Sequence, residues 1–312
     1  MKRRVWVVSE QKAGTLTQCL GVGQYFDPEP QQKIARRVPP LKRIFTPPLF
    51  RPDEKRPDII VSCGFRSEEP VMRMKKAYGG HPFTVHLQRP KLNGFDLVFV
   101  SRHDWEPELD RRANYHSMVG VPHRVTMDRL APLREAARRR YAPNGEQVAA
   151  IFVGGDNGAY AYDDAALRRI TATVRTLAEE GWRVVLSISR RSSQRTLETL
   201  LALRGPAIEV WDREGENPYL DYLAAADAFL IAKDSITMPC EALTTGKPVY
   251  ALDLTPIPGE RLEKFEWFHR DLQQVLKLTR PFEGQLAAYS YTPLNETRRI
   301  AGIVAAAVAE RD

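Results

Sequence analysis

The feature that most constrains this chain is an alternation. Short apolar runs rich in Val, Ile, Leu and Phe are separated by helix-like segments of roughly 10–18 residues over most of the length. A helical connection between strand-length runs returns the next strand parallel to the last, so the pattern implies parallel sheets with crossover helices. Several runs, such as Val148–Val153 ("VAAIFV"), carry no polar alternation, as expected of strands covered on both faces.

In the first half the pattern predicts strands over Arg4–Ser9, Asp58–Gly64, Phe83–Leu87, Asp96–Ser101 and Val121–Thr126. Loop and helix fill Glu10–Phe26, and helices cover Glu68–Tyr78 and Asp128–Tyr141. "APNGEQ" (142–147) then joins Pro, Asn and Gly and reads as a linker. Beyond it the rhythm restarts: strands over Val148–Val153, Arg183–Ser189, Ile208–Trp211, 228–232 and Pro248–Leu252, with helices over Asp163–Glu180, Gln194–Arg204, Asn217–Ala226 and Ile236–Thr245. At about 100–200 residues per domain, 312 residues make two domains. The expectation is therefore α/β: two Rossmann-like doubly wound domains in tandem, 1–143 and 144–312, with an inter-domain cleft and a C-terminal helix free to pack back on the first domain. Open sheets of this kind take ligands beyond the carboxyl ends of their strands.

Composition adds limits. The chain is 43% hydrophobic and 27% charged, which suits a soluble protein with real cores. No apolar run reaches the roughly 18–20 residues of a membrane span, and Val5–Val8 is too short for a signal peptide. A cytoplasmic location is expected. The three cysteines, Cys19, Cys63 and Cys240, have no paired spacing and read as reduced thiols; with no CxxC or HxxxH, no metal site is expected. The net charge of +7 favours an anionic partner or simply a soluble surface. Nucleic acid is not expected, because no recognised module accompanies the charge. The segment "RRVPPLKRIFTPPLFRPDEKRP" (36–57) holds seven Lys or Arg against two acids, with Phe45, Leu49 and Phe50 among its prolines. It reads either as a contact with an anionic membrane surface or as a stiff connection whose phenylalanines pack down.

Polar groups stand at three strand ends of the second half. Gly154 and Gly155, in "FVGGDNGAYAYDD" (152–164), either let a phosphate approach backbone amides or form a turn that caps the next helix. Ser189 and Arg190, in "LSISRRSSQRT" (186–196), end another strand, where a guanidinium suits a phosphate and is also an ordinary surface group. In "IAKDSITMPCEALTTGKPVYALD" (231–253), Ser235 is a good N-cap, and Pro239 fits only within the first turn. Glu241 follows six residues after Ser235, roughly 9 Å along a helix at about 1.5 Å per residue. That is about the reach from a diphosphate to its ribose, so Glu241 is a candidate acceptor for ribose hydroxyls. Otherwise it is a half-buried Glu held by amides or by Lys247.

The stretch 217–254 ("NPYLDYLAAADAFLIAKDSITMPCEALTTGKPVYALDL") resembles the donor-binding region of GT-B glycosyltransferases. It is closer still to the mitochondrial-fission "elongated mitochondria" family and its bacterial relatives. "QKAGTLTQCLGVG" (11–23), "SCGFRS" (62–67), "FDLVFVSRHD" (95–104), "VGGDN" (153–157) and "SISRR" (187–191) are similar to further elements of that family, so the likeness spans almost the whole chain. Phe65, where a basic residue is expected, and Pro239 depart from the pattern. The resemblance implies a GT-B-like fold. Plant members are associated with recruiting a dynamin-like protein to mitochondria, and bacterial members look like glycosyltransferases of envelope sugar assembly. It points to donor-binding residues Gly154, Gly155, Asp156, Asn157, Ser189, Arg190, Lys233, Asp234, Ser235, Met238 and Glu241. Gly14, Gln18, Cys63 and Arg66 fall on the acceptor side, although a buried structural thiol suits Cys63 better.

GT-B enzymes need no metal in an Asp-x-Asp motif, and none is evident here. The developing diphosphate charge would be met by Ser235, Gly154, Gly155 and Arg190. A general base is expected at a strand end of the first domain: His103 and Asp104, with Glu10 less favoured; a simple cap and turn is the other reading of His103-Asp104. The expected function is metal-independent transfer of a sugar from a nucleotide-sugar, as substrate with no bound cofactor, to an envelope or lipid-linked acceptor at the inner face of a membrane. The alternative is a non-catalytic adaptor on the same frame that recruits a protein partner to a membrane.

Overall fold

The computed structural model describes residues 3–36, 49–51 and 53–311. By packing, the chain divides into two compact units, 1–124 with 295–312, and 125–294.

The first unit is built on β1 (Val5–Glu10), α1 (Ala13–Gly23), β2 (Gln31–Ala35), β3 (Ile59–Cys63), α2 (Phe65–Ala77), β4 (Phe83–Leu87), β5 (Leu97–Ser101) and β6 (Tyr115–Met118). All six strands pair in parallel, in the order β2-β1-β3-β4-β5-β6. Strand alternation sorts the core into two layers. Val5, Val7, Ile59, Val61, Val85 and Phe99 share one cluster with Ile300, Val304 and Val308 of the C-terminal helix, whereas Trp6, Val8, Ile60 and Val98 face Val71 and Met74 of α2. That helix, Glu296–Arg311, therefore belongs to the first unit.

Three segments differ from expectation here. β6 was not anticipated, because Tyr115, His116 and Ser117 form no apolar run and it lies at a sheet edge. β2 was not anticipated, because its first three residues, Gln31, Gln32 and Lys33, are polar and it lies at a sheet edge. Val121–Thr126 is not a strand. His123 spends its backbone N–H and carbonyl on the Thr297 hydroxyl (2.9 and 3.0 Å), and Pro122 has no N–H to donate to a ladder. Most of the basic proline-rich segment lies outside the described residues, so its membrane reading rests on sequence. Leu49 and Phe50 at its described end are half-buried and pack against the Trp6 layer.

The second unit holds α3 (Met127–Tyr141), β7 (Val148–Val153), β8 (Tyr160–Ala161), α4 (Asp164–Glu179), β9 (Arg183–Ile188), α5 (Gln194–Leu201), β10 (Ile208–Val210), α6 (Tyr219–Ala225), β11 (Ala228–Ala232), α7 (Thr237–Leu243), β12 (Val249–Leu252), β13 (Thr255–Pro256), α8 (Glu260–Arg270) and β14 (Arg280–Pro281); the C-terminal helix is α9. The division falls before α3 rather than in 142–147. Arg138 ion-pairs with Asp227 and donates to the Ala225 carbonyl, and Arg134 donates to the Ala224 carbonyl, which fastens α3 to α6. The sheet runs β10-β9-β7-β11-β12-β14, all parallel. Counted from the unit's own first strand this is the order 3-2-1-4-5-6 of dinucleotide-binding folds, with the reversal at β7 and β11. Among the described residues no helix is long and apolar enough to cross a membrane.

Candidate functional site

β7 and β11 lie side by side, and the connections that leave them run to opposite halves of the sheet. A crevice forms at such a reversal, beyond the strand ends. In the second unit the loops there come from β7 (154–159), β9 (189–193) and β11 (233–236).

One buried carboxylate ties two of these loops. Asp234 is 2% exposed, and its Oδ2 accepts the Gly155 N–H at 2.9 Å while Oδ1 accepts the Tyr162 hydroxyl at 2.6 Å. The same Tyr162 oxygen accepts the Gly154 N–H at 2.9 Å. Asn157 Nδ2 donates to the Asp234 carbonyl at 2.8 Å, and its Oδ1 accepts from Ala159 and Tyr160. The third loop joins through Ser192, whose hydroxyl donates to the Gly154 carbonyl.

This network gives the Gly-Gly pair a steric reason. A Cβ on Gly154 would fall inside the Asp234 carboxylate, and one on Gly155 would stand 2.6 Å from the Arg191 carbonyl carbon. Both amides offered by the sequence to a phosphate are thus already bonded, one to a tyrosine and one to an acid. Burial pushes the Asp234 carboxyl up to about 6, outweighing the hydrogen bonds from Tyr162 and Gly155 and the charge of Arg191.

The other candidates are placed as follows. Asp156 is exposed and accepts the Tyr162 N–H at 3.1 Å. Ser189 accepts the Arg191 N–H at 3.2 Å, and the Arg190 side chain is exposed. Lys233 ion-pairs with Asp253 at 2.7 Å, and its carbonyl accepts His269 Nε2–H at 2.9 Å. Ser235 accepts the Met238 N–H at 3.1 Å, so it caps the first turn of α7; Pro239 is the third residue of that helix, within the first turn.

Glu241 occupies the last turns of α7 and is 8% exposed. Its Oε2 accepts the Tyr219 hydroxyl at 2.6 Å, a tie to α6 rather than to Lys247 or an amide. Oε1 has no protein donor among the described residues. The Tyr219 ring lies 4.6 Å from Phe152 of β7, which places the pair beside the reversal. Burial pushes the Glu241 carboxyl up to about 7, against the opposing pull of Tyr219 and Arg129. A near-buried carboxylate with one oxygen held and the other undonated can accept a hydrogen bond from a ligand hydroxyl.

In the first unit, buried Cys63 ends β3 and its thiol donates to Gln18 Oε1 at 3.4 Å. Arg66 donates its N–H to Glu10 Oε1 at 3.2 Å, and Lys12 pairs with Glu10 at 2.8 Å. Gly14 is exposed in the first turn of α1. His103 and Asp104 sit in a short 3₁₀ turn after β5, with Nε2 and Oδ2 3.8 Å apart. The structure therefore gathers Gly154, Gly155, Asn157 and Asp234 into one network and pairs Gln18 with Cys63. Tyr162, Ser192 and Tyr219 were missed: Ser192 reads as an ordinary loop serine before α5, and a tyrosine in an amphipathic helix or turn reads as core. The one available signal was "YAYDD" and "NPY" lying at helix starts in both cases.

A family model described as Mitochondrial fission ELM1 matches residues 13–308. The mitochondrial fission protein ELM1 of Arabidopsis thaliana is 23% identical over 270 residues, 78% of this chain and 62% of the plant protein, so the chain spans less than two thirds of that relative. An uncharacterized protein of Rickettsia prowazekii is 22% identical over 347 residues, covering 96% of this chain and 97% of its own length. Among solved structures, the UDP-GlcNAc 2-epimerase of Methanocaldococcus jannaschii superposes with a TM-score of 0.56 at 12% identity, covering 97% of this chain and 99% of that one. The UDP-GlcNAc 2-epimerase of Neisseria meningitidis bound to UDP-GlcNAc gives 0.55 at 11%, covering 99% and 100%. The glycotransferase of kitacinnamycin gives 0.51 at 14%, covering 99% and 94%. These likenesses are of fold: two Rossmann-like parallel-sheet domains in tandem, the GT-B-like arrangement. With the family model covering nearly all of its length, the chain belongs to the mitochondrial fission ELM1 family.

Proposed function

We propose that this protein is a metal-independent glycosyltransferase that takes a sugar from a nucleotide-sugar and passes it to an envelope or lipid-linked acceptor. The observation that carries the reading is Glu241: a near-buried carboxylate at the strand-order reversal of the second unit, with no donor to Oε1 among the described residues. Ribose hydroxyls are the natural donors to that oxygen. The fold shared with a structure holding UDP-GlcNAc supports the donor class. In the transfer step the acceptor oxygen bonds to the anomeric carbon, and the bond from that carbon to the diphosphate breaks with its electron pair leaving on the diphosphate. The acceptor's proton passes to a base, for which His103 and Asp104 are the candidates. Arg190 and the Ser235 hydroxyl are the candidates for the diphosphate charge.

A thermal-shift screen against nucleoside diphosphates and nucleotide-sugars tests this, followed by calorimetry on Glu241→Ala. The expected result is stabilisation selective for one base and a loss of at least about tenfold in affinity in the variant, about 1.4 kcal/mol. Unchanged affinity in a folded variant sinks the assignment.

Two observations favour a second reading, a non-catalytic adaptor. The Gly154 and Gly155 amides are already bonded within the protein, and a curated relative is named for mitochondrial fission. That reading expects no nucleotide-dependent shift and a partner captured equally by wild type and Glu241→Ala.

A further inference from the structure

Tyr219 is none of the site residues expected from the sequence, yet among the described residues it is the one donor to Glu241. Its hydroxyl donates to Oε2 at 2.6 Å across 22 residues of chain. Two contacts fix where that hydroxyl stands. The Tyr219 N–H is capped by Asn217 Oδ1 at 3.1 Å, and the ring lies 4.6 Å from Phe152. The hydroxyl is therefore anchored by α6 and β7, while the carboxylate rides on α7. A carboxylate on a short helix has free side-chain torsions; a hydroxyl fixed from a neighbouring helix removes them.

We infer that Tyr219 is a positioning residue that keeps Oε1 of Glu241 as the single open acceptor for a ribose diol, so that binding of a ribonucleotide and loss of a proton from Glu241 are coupled. The inference rests on the nucleotide-binding reading of this site. The physical chain is short. Two vicinal hydroxyls donate more strongly to an ionised carboxylate than to a protonated one, whose O–H competes as a donor itself. The groups facing the carboxylate are Tyr219 of α6 and Arg129 of α3, with Cys240 beside Tyr219 on the Glu241 helix. Burial pushes the free carboxyl up to about 7, into the range where it exchanges its proton near neutral pH. Tyr219 favours the ionised form by its hydrogen bond; losing it moves the titration upward. Asp234 serves a different purpose, since both of its oxygens are spent on the β7 loop.

Two measurements decide it. The first needs no ligand: the Glu241 carboxyl carbon, assigned against Glu241→Gln, is titrated by NMR in wild type and in Tyr219→Phe, which keeps the ring against Phe152. The expected midpoint is near 7 in wild type and higher in the variant; equal midpoints overturn the positioning role. The second is calorimetry from pH 6 to pH 8 with ADP, GDP, UDP and CDP singly and with their 2′,3′-dideoxy counterparts. For a ribonucleotide that binds, affinity is expected to rise over that range about tenfold more than for its dideoxy form, with the extra proton released; the terminal phosphate, which titrates in both forms, cancels in the comparison. Equal pH profiles for the ribonucleotide and its dideoxy form overturn the coupling. No binding of any nucleotide sinks the proposed function and the coupling together, while the NMR titration still judges Tyr219 separately.

Discussion

Each unit has a strand-end corner in which glycine lies against a nearly buried carboxylate, and the two corners differ in what neutralises the acid. In the first unit a Cβ on Gly64 would stand 2.8 Å from Glu10 Cγ, and Glu10 holds Lys12 at 2.8 Å and the Arg66 N–H. In the second, Gly154 and Gly155 lie against Asp234, whose close partners are a tyrosine hydroxyl and an amide. Burial raises both acids. At Glu10 the hydrogen bond and charge of Lys12, with the Arg66 N–H, outweigh it and hold the carboxyl below its usual range. At Asp234 neutral donors and a more distant Arg191 do not, and the carboxyl stays up at about 6. The same steric device thus holds a permanent charge in one unit and a titratable group in the other. A glycine beside an acid says nothing about charge state; the cation, or its absence from hydrogen-bond range, decides that.

The largest test of the contrast is steric. Gly154→Ala puts a methyl group inside the Asp234 carboxylate, a buried acid that Tyr162 and the Gly155 N–H hold in place. The expected cost is more than about 3 kcal/mol, read as loss of soluble protein or a large fall in the denaturant midpoint. Gly64→Ala has φ of 90° against it, worth about 1–2 kcal/mol, and meets the Glu10 chain at a methylene that can swing. Equal costs for the two variants break the comparison.

A test of intermediate size is electrostatic, and its signs are opposite in the two corners. Asp234 has its folded value raised to about 6 from 3.8. Its contribution to stability is complete below about pH 4 and is lost as pH rises through 6, on the order of 3 kcal/mol by linkage. Glu10 has its folded value lowered from 4.5. Its contribution is complete above that value and is lost as pH falls through the lower folded one. Chemical denaturation of Asp234→Asn between pH 4 and pH 6.5 is therefore expected to show a stability less steeply falling with pH than wild type. Glu10→Gln is expected to lose the acid-side fall instead. Parallel slopes in wild type and Asp234→Asn count against a titratable acid in the second corner.

The same contrast marks how far the sequence could be read. Strands were legible because two covered faces leave unbroken apolar runs: β7 and β11 stand where "VAAIFV" and "AFLIA" place them. The edge strand β2 was not, since Gln31, Gln32 and Lys33 lack that signature. Val121–Thr126 has the signature and forms no strand, because Thr297, 174 residues away, takes the backbone groups of His123. At the site, the glycines, Asp234 and Glu241 were legible as types in suggestive places, but their partners were not. Tyr162 lies 72 residues from Asp234, and Tyr219 lies on a different helix from Glu241. Pairings across the sheet are made by the fold, and local patterns carry no record of them.

The smallest test concerns the residues that follow the two corners. Phe65 is 60% exposed, and its one described polar neighbour is Lys91, whose Nζ stands 4.8 Å from the ring. An exposed cation–π contact is worth about 0.5–1 kcal/mol, and part of it is offset by freeing the Lys91 chain. Phe65→Ala is thus expected to lower stability by about 0.5 kcal/mol or less. Asp156 is exposed too, but its carboxylate accepts the backbone N–H of Tyr162, the residue whose hydroxyl serves both Gly154 and Asp234. Asp156→Ala loosens that tyrosine and is expected to cost about 1–1.5 kcal/mol. A double-mutant cycle with Tyr162→Phe sharpens the point: Asp156 and Tyr162 are expected to be coupled by at least about 0.5 kcal/mol, whereas Phe65 and Tyr162 should be additive. An additive Asp156–Tyr162 pair would mean that the second corner is held by Asp234 alone, and that the loop carrying Gly154 and Gly155 is no more dependent on its neighbours than the corner at Gly64.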